Sequence, residues 1–203
     1  MRERAAMGRP REFDEDVALD AIMGVFWAQG FEGTSMSDLV GATGLKKGSL
    51  YAAFGNKRAM YHKALTLYDR TLIDATVRGL QGDGTPRFRI EQFLDAAVSR
   101  VSSRSGGRGC FVCNASIDQA PTDDGTARLV QASLTRLEAA LADVVSELGG
   151  GTRGSDGAAS DARLRARHLM SVYFGLRVLA KAGATTDVLE DVQRAALAGL
   201  VSE

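Results

Sequence analysis

The residues with most to offer chemically sit in two short stretches of this 203-residue chain. The first is Leu45-Lys46-Lys47-Gly48-Ser49-Leu50-Tyr51, where two ammonium groups, a hydroxyl and a phenol crowd together. Lysine can donate to the O6 and N7 acceptors of guanine, and a short hydroxyl can serve as donor or acceptor to a base edge. Gly48 puts no side chain between Lys47 and Ser49, so a backbone there can approach a duplex closely. The second stretch is Cys110-Phe111-Val112-Cys113, which holds both cysteines of the chain. A C-x-x-C pair can do redox work or form half of a zinc site. Zinc asks for about four ligands, and His62 and His168 lie far off in sequence, so no metal and no cofactor is expected. A thioredoxin-like dithiol needs a strand–loop–helix setting that the sequence does not offer. Buried structural thiols are the first reading of Cys110 and Cys113. Two others stand behind it: a redox or electrophile sensor, favoured by the adjacent Arg108, and a thiol-redox enzyme.

The elements that must position the first stretch are two short helices joined by a tight turn. Ser35 or Ser37 can cap the first, and Asp38 suits its positive N-terminal end. Met36, Leu39 and Val40 form its apolar face, and Gly41 and Ala42 are small enough for a second helix to pack close. Gly44 closes the helix, because a left-handed cap costs glycine little. Leu45 plugs the turn. A second helix runs from Lys46 to Gly55-Asn56 with Leu50 and Phe54 inward, leaving Lys46, Lys47, Ser49 and Tyr51 on or beside the open side. A helix-turn-helix presents its second helix to the major groove in this way. Tyr51, Thr34 and Lys57 are expected on phosphates, which give affinity and register. Arg9-Pro10-Arg11 is expected to form an extended arm that reaches a minor groove.

From Gly8 to about Arg70 the chain resembles the DNA-binding domain of the TetR/AcrR family of bacterial transcriptional regulators. The resemblance rests on GRPREFD, on Ala21…Phe26…Gly30-Phe31, on Thr34-Ser35-Met36, on Gly44 through Tyr51, and on Phe54-Gly55-Asn56-Lys57. GRGCFVCNAS and YFGLRVLAKAG are similar to segments in a subset of members. The resemblance implies a homodimer that binds a double-stranded DNA operator and changes its grip when a small-molecule effector occupies a second domain. Some similar regulators answer electrophiles or oxidants through a cysteine in this part of the fold. Family habit favours a repressor, and two-fold symmetry predicts a palindromic operator.

The formal net charge is zero, but a nucleic-acid partner needs only local positive surface. No leader, membrane span, strand pattern or internal repeat is visible, and a cytoplasmic, all-α protein is expected. The expected organisation is a flexible arm over residues 1–10, a helix-turn-helix domain over 11–58, and a regulatory and dimerisation domain over 59–203. Helices are expected at about 14–29, 57–79, 87–104, 109–119, 122–148, 161–182 and 186–201. Residues 149–157 form a flexible connection by composition. In the first helix Val17, Ala18, Ala21, Ile22, Val25 and Phe26 share a face, with Trp27 beside it as core. The last two helices are apolar around most of their circumference, through Leu169, Val172, Tyr173 and Leu176 and then Val188 and Val192, which suggests a four-helix interface between two copies. An effector pocket between the middle helices would draw on Tyr68, Phe93, Phe111, Cys113 and Asn114, with Met170, Tyr173, Phe174 and Arg177 from the far side. Arg177 stands out there, because a guanidinium amid apolar neighbours needs a partner. A constitutive architectural DNA-binding protein is the remaining alternative. No Ser/His/Asp set, phosphate loop or carboxylate pair argues for an ordinary enzyme.

Overall fold

A computed structural model describes residues 13–98, 108–149 and 156–200. Its elements are all helical: α1 (Glu15–Gly33), α2 (Met36–Thr43), α3 (Lys47–Phe54), α4 (Lys57–Tyr68), α5 (Asp74–Leu80), α6 (Pro86–Val98), α7 (Phe111–Asp118), α8 (Asp124–Leu148), α9 (Asp156–Lys181) and α10 (Thr186–Ala198). Arg9, Pro10 and Arg11 lie outside the described residues, as does most of the 149–157 connection.

Helix α1 starts where Asp14 accepts from the amides of Asp16 and Val17, which satisfies two of the orphan donors of a helix end. Its buried face is Ala18, Ile22 and Phe26, with Met23, Trp27 and Phe31 alongside. Val17, expected inside, is exposed, because the packing stripe begins one residue later. The helix also runs past the expected end at Gln29 through a bend at Gly30, whose φ of 73° and ψ of 178° suit glycine and little else. A Cβ at Gly30 would also stand 3.2 Å from the Asp118 carboxylate. Gly30→Ala is therefore expected to cost about 1–3 kcal/mol, readable as a lower urea midpoint; an unchanged midpoint would contradict this account of the bend.

The long rod expected over 57–79 is present, with a π-helical segment at Asp69–Ile73 joining α4 to α5. Buried residues step by four from Met60 to Ala64 to Tyr68 and then by five to Ile73. That extra residue is what a π-turn inserts, and it explains why the apolar positions drift from face to face. It also turns Asp69 and Asp74 to one side. Arg136 of α8 grips both, at 2.7 and 2.5 Å, and Ser133 donates to Asp69 at 2.6 Å.

Two apolar clusters fill the molecule. The first joins α1, α2, α3 and α4 to α7 and to Val130 of α8. The second is built from α5, α6, α8, α9 and α10, and Phe174 of α9 packs against both. Leu169, Tyr173 and Leu176 face this second core. Val188, expected on that interface, is exposed, and so are Leu164, Val178 and Leu179 of α9. The two terminal helices thus cap the protomer with one stripe and keep a separate apolar surface.

Candidate nucleic-acid interface

Helix α2 begins at a complete capping box. Ser35 Oγ accepts from the Asp38 amide at 3.2 Å, and the Asp38 carboxylate accepts from the Ser35 amide at 2.7 Å. Those two bonds hold the Asp38 carboxyl below its ordinary range. Ser37 takes no part in the cap. Gly44 ends α2 in the left-handed region at φ 68°, with its amide on the Val40 carbonyl. Leu39 is buried, whereas Gly41 and Ala42 are exposed and a Cβ on Gly41 would meet open space. The expectation that they admit a close helix contact is corrected: the small residues lie on the outer side of α2.

Helix α3 turns Leu50 and Phe54 into the core. Lys46 is its N-cap without a side-chain bond, and Lys46, Lys47 and Gly48 are exposed. Tyr51 is 42% exposed, and the Lys47 ammonium lies 5.9 Å from its ring. Ser49 is half-buried beside them, and no Cβ contact crowds Gly48. Lys57, the first residue of α4, holds its ammonium 4.4 Å above the Phe31 ring, with the Arg58 guanidinium 4.1 Å from the same ring. Thr34 departs from expectation. It is only 1% exposed, and its hydroxyl donates inward to the Gly30 carbonyl at 2.7 Å. Its visible work is to fasten the bend in α1.

What sequence reasoning missed is the joint between this module and the helices behind it. Trp27 Nε1 donates to the Gly109 carbonyl at 3.2 Å. Asp118, at the end of α7, accepts from the Phe31 amide at 3.1 Å. Arg58 donates to Gln119 at 2.6 Å, and His62 Nε2 meets Asp123 Oδ2 at 2.6 Å. Gly125 makes room for that contact, since a Cβ there would fall 2.5 Å from the His62 ring. Partial burial by itself would raise the Asp123 carboxyl; hydrogen bonds from Thr126 and His62, with the attraction of His62, outweigh it and hold the group well below the carboxylate range. Because the folded value is depressed, its stabilisation is present above the unfolded value of about 3.9 and is lost as pH falls through the folded one. Wild type should exceed Asp123→Asn in urea midpoint at neutral pH, with the gap narrowing steadily as pH falls below about 4. A gap that persists in acid would contradict the assignment.

The expected pocket residues divide between the two cores. Tyr68 and Phe111 are buried in the first and Phe93 and Tyr173 in the second, where Phe93 and Tyr173 stack at 4.4 Å. Cys113, Asn114, Met170 and Phe174 are half-buried, and Arg177 is buried. Among the described residues no helix is long and apolar enough to cross a membrane.

The family description "Bacterial regulatory proteins, tetR family" matches residues 18–64, from α1 through α3 and into α4. The uncharacterized HTH-type transcriptional regulator YezE of Bacillus subtilis (strain 168) is 30% identical over 187 residues, covering 91% of this chain and 95% of its own length. The chain belongs to the TetR family. Another relative is the HTH-type transcriptional repressor ComR of Escherichia coli (strain K12), 28% identical over 190 residues, which cover 93% of this chain and 90% of ComR. Among solved structures, the TetR family transcriptional regulator CifR, a cysteine mutant complexed with 26bp double-strand operator DNA, superposes with a TM-score of 0.80. It is 29% identical, and the match covers 94% of this chain and 98% of CifR. As a TetR-family regulator, the protein carries α2 and α3 as its helix-turn-helix. The helices after α4 lie beyond the residues the family description matches, but within the stretch covered by YezE and ComR.

Proposed function

We propose that this TetR-family regulator is a homodimeric, cytoplasmic repressor that grips a palindromic operator in double-stranded DNA and releases it when a small molecule occupies the helices behind α4. The observation that carries this reading is the outer face of α3. Lys46, Lys47, Gly48 and Tyr51 stand exposed, while Leu50 and Phe54 lock the helix to its base. A rigid helix with exposed ammonium groups is suited to base edges, and Lys57 and Tyr51 to the flanking phosphates. Ser49 sits beside Lys47 as a second base contact; Thr34, being buried, contributes through the Gly30 bend. Arg9 and Arg11 are assigned to the arm on charge alone. The repressor role follows the name of ComR, and operator binding follows CifR. The separate apolar surface of α9 and α10 suits a dimer interface. Footprinting on DNA from upstream of its own gene should protect two symmetric half-sites; protection without a dyad would contradict the dimeric reading.

A second reading has the thiols as the switch. Cys110 is the N-cap of α7, which favours a thiolate, and the Tyr68 hydroxyl donates to its sulfur at 3.6 Å. The residue is only 1% exposed, so a reagent reaches it only when α7 opens. Burial and the neighbouring Cys110 push the Cys113 thiol up, which keeps it protonated at neutral pH. Alkylation of Cys110 in the folded protein, followed by loss of operator binding, would support this switch, and an unreactive Cys110 would remove it. A thiol-redox enzyme would instead have to turn over a model disulfide.

A further inference from the structure

Two arginines are buried in the described residues, and they differ in how their charge is met. Arg89 pairs with Glu147 and also caps the Leu80 carbonyl. Arg177, 3% exposed, has one partner among the described residues, the neutral Gly109 carbonyl at 2.5 Å; the Nε of both arginines has none there. A buried cation without a counter-ion is costly, so such a group is usually met by an anion.

The surroundings of Arg177 point the same way. Lys181, one turn further along α9, reaches Asn114 Oδ1 at 3.1 Å, and its stem lies against Gly109. Arg108 leans over the Trp27 ring at 5.4 Å. None of these three cations pairs with a described carboxylate. Gly109 leads directly into α7, whose N-cap Cys110 makes no side-chain cap bond. Two cationic side chains thus flank Gly109, at the entry to α7. Aromatic surface adjoins them: Tyr173, one turn before Arg177, stacks on Phe93 and meets Phe174 edge-on at 5.5 Å.

We infer that the N-terminus of α7, with Arg177 and Lys181, is the seat of a small aromatic carboxylate, and that this anion is the effector. The second half of the inference rests on the proposed ligand-released regulator; the first does not. A monoanion balances the buried cation that has no described carboxylate partner, and the bidentate fork of a guanidinium fits a carboxylate. Half-exposed and exposed neighbours, Cys113 and Lys181, mark the side open to solvent. Occupation would pull on Gly109, whose carbonyl also holds Trp27 of α1, and so would bear directly on the helix-turn-helix base.

Sodium benzoate is the probe, with benzyl alcohol as its uncharged counterpart and inorganic phosphate as the anion without an aromatic body. Thermal unfolding of the full chain at constant ionic strength should show a saturable upward shift with benzoate and none with the other two. Arg177→Met should weaken benzoate by about 30-fold or more. Lys181→Met, at an exposed position that leaves the core intact, should weaken it by about threefold. Shifts that both variants leave unchanged, or equal shifts from benzyl alcohol or phosphate, would overturn the site. Benzoate that binds through Arg177 yet leaves the operator complex intact would overturn the effector role alone. Failure of operator binding without benzoate would instead count against the proposed function.

Discussion

Lys47→Ala should lower operator affinity by about 1–3 kcal/mol per half-site and narrow the gap between operator and random DNA. Two copies act on one palindrome, so the loss in the dimer is counted twice. The prediction follows from α3: Lys47 is its first residue, exposed, and removing a base-edge donor there takes away both affinity and preference. Lys57→Ala is the matched control. Lys57 begins α4 and sits over Phe31, and it is the residue proposed above for a flanking phosphate. It should weaken operator and random DNA alike and flatten the salt dependence by about one counterion per half-site. Competitive titration at two salt concentrations separates the cases. Equal losses on both DNAs for Lys47→Ala would reassign it to the backbone.

The second large effect concerns the joint. Phe111→Ala should cost about 3–5 kcal/mol, the usual range for emptying a buried phenyl site, and lower the unfolding midpoint by about 6–20 °C. Phe111 is 1% exposed and meets Tyr61 and Tyr68 edge-on at 5.5 and 5.7 Å. It is thus the side chain through which α7 enters the core of the helix-turn-helix module. The half-exposed Phe88 is the control, and its truncation should cost under about 1 kcal/mol. A small effect at Phe111 would mean that α7 does not brace the module.

These two predictions differ in how far the sequence alone carries them. The α2–α3 unit was legible because its determinants are local. Ser35 and Asp38 are three residues apart, Gly44 stands at the helix end it terminates, and Leu50 and Phe54 share a face by simple periodicity. The exposure of Lys47 follows from the same geometry. The joint was not legible, because Asp118 and Phe31 are 87 residues apart and Arg58 and Gln119 are 61 apart. Nothing in the local pattern around Asp118 marks it as a partner for the Phe31 amide. Thr34 was misplaced for a related reason. Its position beside the first helix suits a phosphate contact, but the Gly30 bend turns its hydroxyl inward. The π-turn left a trace, the drifting apolar positions after Tyr68, that a strict 3.6-residue period could not absorb. Arg177 was visible as an uncomfortable residue before any geometry, since a guanidinium amid Tyr173, Phe174 and Leu176 demands an explanation. What could not be read was that its partner among the described residues is a backbone carbonyl.

The central claim is that the outer face of α3 reads a specific duplex. Fluorescence anisotropy of the full chain on labelled DNA from just upstream of its own gene, in excess random competitor, tests it most directly. The account predicts tight, competitor-resistant binding by two copies per site, weakened selectively by Lys47→Ala. Binding that random DNA abolishes in proportion to its excess would contradict it.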